Sequence, residues 1–146
     1  MAYSYPNYHR MMCEALKTID PTMNMTMEAT FKLRLLLQEF IVYITDDLKA
    51  LPPSRKINVH NIRTVRNKFV FAQRQYTNYD ALVQVARLDL FLGEQNYFES
   101  IIEHDMSKGA FKEVEKLFMC GIYHYLYKFI EYAKTHNSTT IDESDM

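Results

Sequence analysis

The stretch FKLRLLLQEFIVYITDDLKAL, residues 31 to 51, decides the fold. Leu33, Leu36, Leu37, Phe40, Ile41, Ile44 and Leu48 recur at spacings of three and four, the period of one helical face. Lys32, Arg34, Gln38, Glu39 and Lys49 occupy the other faces. Upstream, Ala29 extends the stripe and Thr26 offers an N-cap. Downstream, Pro52-Pro53 stops the helix. At ~1.5 Å per residue, a helix over 26–50 is roughly 37 Å long. A rod of that length with a single apolar stripe cannot bury the stripe by itself and needs a partner.

The chain supplies that partner. KGAFKEVEKLFMCGIYHYLYKFIEYAKTHNSTTI, residues 108 to 141, carries Val114, Leu117, Phe118, Gly121, Ile122, Tyr125, Leu126, Phe129, Ile130 and Ala133 at the same spacing. The spacing predicts a second long helix over 109–135. Gly121 costs a helix about 1 kcal/mol relative to alanine, and its expected use is close approach where the rods cross. Tyr123, Tyr127 and Tyr132 lie partly off the stripe and are expected at a surface or a partner interface. A short amphipathic helix precedes each rod. YHRMMCEALKTI, residues 8 to 19, aligns Met11, Met12, Ala15, Leu16 and Ile19, and Asp20-Pro21 ends it. A short helix, a loop and a long helix thus span residues 8 to 50, and the same order returns over 82 to 136. A third helix is expected over about 60 to 72, with Ile62, Val65, Phe69 and Val70 on one side. SRKINV, residues 54 to 59, reads as an ordinary solvated basic loop or a short strand bridge.

Composition agrees with an all-α chain. Of 146 residues 48% are hydrophobic, with 3 glycines and 4 prolines, so turns are few and a core is within reach. The net charge of −1 neither announces nor excludes a nucleic-acid partner, because local patches matter more than totals. Cys13 and Cys120 sit in different helices, and two reduced thiols are expected. No apolar run reaches the roughly 20 residues of a membrane span, and MAYSYPNYHR lacks the apolar run of a signal peptide. The five histidines show no metal-ligand spacing with one another or with the cysteines. There is no glycine-rich phosphate loop and no serine in a nucleophile motif. No enzyme activity, metal, cofactor, membrane or small-molecule substrate is expected.

The order short helix, loop, long helix, basic loop, short helix resembles the core-histone plan. YHRMMCEALKTIDPTMNMTMEAT, LLLQEFIVYITDDLKAL and SRKINVHNIRTVRNKFV resemble the first helix, central helix, and last loop and helix of histone 2B. ARLDLFLGEQNYFES, residues 86 to 100, resembles the first helix of histone 2A through Arg87, Asn96, Tyr97 and Glu99. Residues 108 to 141 resemble the rest of histone 2A, most clearly at Gly109, Ala110, Leu126, Ala133, Thr139 and Ile141. A 2B-like half followed by a 2A-like half resembles the histone doublets of Marseillevirus-like giant DNA viruses, in a shortened form.

The resemblance implies two tandem histone folds, 1–79 and 80–146, paired within one chain as a handshake, the second lacking a full third helix. It implies binding and compaction of double-stranded DNA in nucleosome-like particles with a histone 4/3-type doublet. The expected locations are the host nucleus or viral factory, and the virion. DNA contact is expected at Asn24, Met25 and Thr26, which precede the first rod, and at Arg55 and Lys56 in the basic loop. It is also expected at Arg87, at Lys108 leading into the second rod, and at Ser138 and Thr139 in the last loop. Against the family pattern there is no basic N-terminal tail. Leu90, Gly93, Glu94, Asn137, Ser138 and Thr140 stand where basic residues are usual, and the acidic surface patch is expected to be absent because Met119, His124 and Tyr127 fill its central-helix positions. IDESDM, residues 141 to 146, stands where a third helix is expected, so the docking tail is expected to be missing. Affinity for duplex DNA follows phosphate neutralisation, so a small footprint and a shallow salt dependence are expected. The alternative reading is a histone-fold protein–protein adaptor with little direct DNA binding, and a third is an unrelated tyrosine-rich helical bundle.

Overall fold

A computed structural model of the chain describes residues 5–52, 56–68, 98, 100–102 and 104–146, with the backbone alone for 5–7. Helix α1 spans Tyr5–Ile19, one turn earlier than the periodicity indicates, and buries Tyr8, Met11, Met12, Ala15 and Leu16. Its chain leaves the helix through Asp20, whose carboxylate accepts from the Thr22 amide at 3.0 Å and hydroxyl at 2.6 Å. Strand β1 is Asn24–Met25. The first rod, α2, spans Met27–Lys49, with Thr26 Oγ accepting from the Ala29 amide at 3.1 Å as the expected cap. Every residue of its expected stripe is buried except Leu36, which is half-buried against the same core. Two buried hydroxyls are satisfied locally. Thr30 bonds His9 Nδ1 at 2.7 Å, and Thr45 donates to the Val42 carbonyl at 2.9 Å.

Helix α3 is Val59–Arg66, started by a reciprocal cap between Asn58 and Asn61. It buries Ile62 and Val65 as expected but ends at Arg66, not 72, where the polar run Arg66-Asn67-Lys68 offers no apolar face and Asn67 caps the last turn. Phe69 and Val70 lie outside the described residues, as do most of the segment 86–100 and the boundary between the two expected units. The second rod, α4, spans Lys108–Thr135, capped by Ser107 Oγ on the Ala110 amide at 3.1 Å. Strand β2, Thr140–Ile141, and a 3-10 turn, Glu143–Asp145, follow.

The two rods cross antiparallel. β1 pairs in parallel with β2, Asn24 beside Thr140 and Met25 beside Ile141, which places the start of α2 near the end of α4. Midway, Phe40 of α2 meets Gly121 of α4, where an added Cβ would lie 3.0 Å from Phe40 Cε1 and 3.1 Å from Cδ1. At the far end His104 Nε2 bonds the Leu51 carbonyl at 3.0 Å, joining the end of α2 to the approach to α4. Gly121 therefore marks the close approach that its place in a helix requires. Buried side chains of α1, α2, α3 and α4 form a single core cluster, so the two halves share one interior.

One expectation fails on α4. Tyr123 is not a surface residue: it is 1% exposed, and its hydroxyl lies 3.3 Å from Thr18 Oγ. Helix α1 packs across α4 there and widens the buried arc beyond one stripe. Met119 is also buried, at 1% exposure. Tyr127 and Tyr132 are exposed as expected. No disulfide joins Cys13 and Cys120. No described helix is long and apolar enough to cross a membrane.

Candidate nucleic-acid interface

Two loop pairs, one at each end of the crossed rods, hold every expected contact residue that lies among the described residues. Arg55 and Arg87 lie outside them. The first pair unites Asn24, Met25 and Thr26 with Ser138 and Thr139. The Asn24 amide donates to the Thr139 carbonyl at 2.8 Å and the Thr26 amide to the Ile141 carbonyl at 3.0 Å. Asn24 and Thr139 are exposed, Thr26 and Ser138 half-buried. The Met25 side chain is buried in the core, which leaves only its backbone for any ligand. Ser138 Oγ donates to the Thr140 carbonyl at 2.9 Å and accepts from the Thr140 amide at 3.1 Å, so its proton is already committed. Asn137, at φ 56°, takes the left-handed turn after α4 that an asparagine tolerates.

Carboxylates surround this first pair. Asp20 is held at a pKa of about 2 by hydrogen bonds from Thr22 and by Lys134, whose Nζ lies 2.9 Å away. Asp142 is also held below the usual carboxylate range, chiefly by the Ser144 hydroxyl. Glu143 and Asp145 follow, and Glu28 stands in the first turn of α2. Lys32 reaches the Glu143 carbonyl at 3.3 Å. A phosphate approaching here meets more negative than positive charge.

The second pair carries exposed lysines, with the exposed Asp105 in the same loop. Ile57 pairs with Met106, the Ile57 amide donating to the Asp105 carbonyl at 2.8 Å and the Ser107 amide to the Ile57 carbonyl at 3.0 Å. Of the two readings of SRKINV, the short bridge is the one formed. Lys56 and Lys108 flank it, both exposed. The N-terminal turn of a helix leaves amides without intrahelical partners. In α4, Ser107 takes those of Ala110 and Phe111, and the amides of Lys108 and Gly109 remain at the helix mouth. Gly109 is there because a Cβ would come within 2.9 Å of Val59 Cγ2, which seats α3 against this mouth. The first turn of α4 holds no acidic residue. A cleft of about 550 Å³ opens beside this mouth, lined by Lys108 and Lys112 and equally by Asp105 and Glu115.

Sequence reasoning missed a further group on the same end. Glu113, 14% exposed, lies 3.9 Å from Arg63, 4.0 Å from Arg66 and 3.6 Å from Lys116. The spacing of Glu113 and Lys116 was readable as a helical pair; their meeting with α3 was not. Among the described residues no three His, Cys, Asp or Glu side chains converge as a metal site. No protein-family model, curated protein or solved structure matches the chain.

Proposed function

We propose that this chain is a histone doublet of the giant-virus type, a 2B-like unit over 1–79 paired by handshake with a 2A-like unit over 80–146. In this reading it has no enzyme activity. It binds and compacts double-stranded DNA in nucleosome-like particles together with a histone 4/3-type doublet, in the host nucleus or viral factory and in the virion. The observation that carries the reading is reciprocity. The loop entering each rod pairs in parallel with the loop following the other rod, Asn24–Met25 with Thr140–Ile141 and Met106 with Ile57. Two equivalent units crossing head to tail produce that exchange, whereas a general helical bundle has no need of it. It also gathers loop amides and hydroxyls at both ends, the groups by which histone cores meet phosphates beside their arginines.

In this reading the two ends have unequal roles. Lys56 and Lys108 with the α4 mouth form the principal phosphate contact, and Asn24, Thr26 and Thr139 contribute neutral donors at most. With so few cations the chain binds duplex weakly alone and takes most of its affinity from a more basic partner. The test is reconstitution of the chain, a histone 4/3-type doublet and duplex DNA across a salt series, followed by nuclease digestion. A protected fragment of defined length that disappears at moderate salt is expected. Free digestion at every salt concentration would sink the reading.

One observation favours the adaptor alternative, namely the carboxylates Asp20, Glu28, Asp142 and Glu143 about the first loop pair. Alanine at Arg55, Lys56 and Arg87 separates the two: an adaptor keeps partner binding and function, whereas a packaging protein loses nuclease protection.

A further inference from the structure

Arg63 and Arg66 stand in the last turn of α3, and Lys116 lies on α4 one turn beyond its N-terminal region. All three converge on the single carboxylate of Glu113, at 3.6 to 4.0 Å. Charge-assisted hydrogen bonds between such groups are shorter, about 2.7–2.9 Å. The three cations are therefore electrostatic neighbours of Glu113, not tightly bonded to it. Arg63 and Lys116 bring two positive charges to the one carboxylate of Glu113, both at Oε1. Arg63 is 57% exposed and Lys116 37%, so both head groups reach solvent, whereas Glu113 and Arg66 sit deeper, at 14% and 20%. Such an arrangement does little for stability, since exposed pairs contribute at most about 1 kcal/mol. It does fix two long cationic side chains side by side at the surface. The cluster shares the α3–α4 end of the molecule with Lys56, Lys108 and Lys112.

We propose that Arg63 and Lys116 form a second duplex-phosphate contact, continuing the footprint of the Lys56/Lys108 loop pair along the α3–α4 face, with Glu113 as a built-in competitor of phosphate. The inference rests on the DNA reading above. Arg66 holds Glu113 in place, and an incoming phosphate takes over Arg63 and Lys116 without breaking a short ion pair.

The test is anisotropy of a short fluorescent duplex with the full chain over a salt series. The variants are Arg63→Ala/Lys116→Ala, Glu113→Gln and Lys56→Ala/Lys108→Ala, each checked for its folded helix signal. Loss of two phosphate contacts makes the slope of log K against log salt shallower by about 1.8 in the first variant. Glu113→Gln tightens binding roughly fivefold at low salt, the worth of one opposite charge at 4 Å in water. If Arg63→Ala/Lys116→Ala keeps the parent slope while Lys56→Ala/Lys108→Ala flattens it, the inference fails and the DNA reading stands. If no form of the chain binds duplex, both fall. Poly-glutamate binding that requires Arg63 and Lys116, with duplex indifferent to them, overturns the proposal in favour of an acidic protein partner.

Discussion

At one end of the crossed rods Asn24–Met25 lies beside Thr140–Ile141, and at the other Ile57 lies beside Met106. The backbone solution is the same at both ends: a parallel pairing, then a hydroxyl-capped helix mouth. The side chains differ in sign. Glu28 occupies the first turn of α2, where a negative charge suits the positive end of the helix dipole. The first turn of α4 opens with Lys108, which opposes that dipole. In the proposed DNA reading, this cation is offset by a phosphate arriving from outside. The two ends thus teach that pairing geometry and surface charge are set separately: the first by buried apolar residues, the second by a few exposed side chains.

The strongest way to break this comparison is to remove the apolar anchor of each joint. Ile141→Ala and Ile57→Ala, both at fully buried positions, are each expected to cost about 2–5 kcal/mol. Urea unfolding should show one transition in both, because the core is shared, and two separate transitions would refute that unity. The pivot between the ends is next. Gly121→Ala gains about 1 kcal/mol of helix propensity but presses a Cβ against Phe40, and overpacking typically costs about 1–3 kcal/mol. A net loss near ~1 kcal/mol is expected, and combination with Phe40→Leu should cost less than the sum of the two; strict additivity would mean that the rods do not touch there.

Exchanging the charges at the helix mouths gives smaller shifts with opposite signs. Lys108→Glu should raise stability by about 0.3–1 kcal/mol while weakening duplex binding, and Glu28→Lys should do the reverse. Melting temperature and duplex affinity moving together in either variant would contradict the assignment of roles. The smallest effect concerns Asp20. Its folded pKa of about 2 lies below the ordinary value of about 3.9, so its contribution is present above the ordinary value and is lost as pH falls toward 2. Asp20→Asn should therefore lose less stability than the parent between about pH 4 and 2, read as urea midpoints; equal losses would remove Asp20 from the account.

Much of this architecture was legible in the pattern. Both rods, the Thr26 cap, the stop at Asp20-Pro21 and the purpose of Gly121 follow from period, capping chemistry and the cost of glycine in a helix. The bridge at Ile57 was readable from an apolar residue set in a basic loop. The burial of Tyr123 was not, because periodicity describes one stripe and says nothing of a third helix arriving on a second face. The ladder at Asn24–Met25 escaped notice since two residues carry no strand pattern. At the candidate site the individual cations were visible, but their sorting by sign between the two ends was not. That sorting depends on which distant residues, such as Asp20 and Lys134, the crossing brings together.

The joint between Asn24 and Thr140 also bears on how the protein is born. Its two sides leave the ribosome on the order of ten seconds apart at ordinary synthesis rates. Until the later side emerges, the apolar stripe of α2 has no rod to lie against. During that interval the nascent chain leaves Leu33, Leu37, Ile41 and Ile44 without the cover of α4, a natural target for a holding chaperone. Translation speed across the intervening segment thereby becomes a determinant of yield.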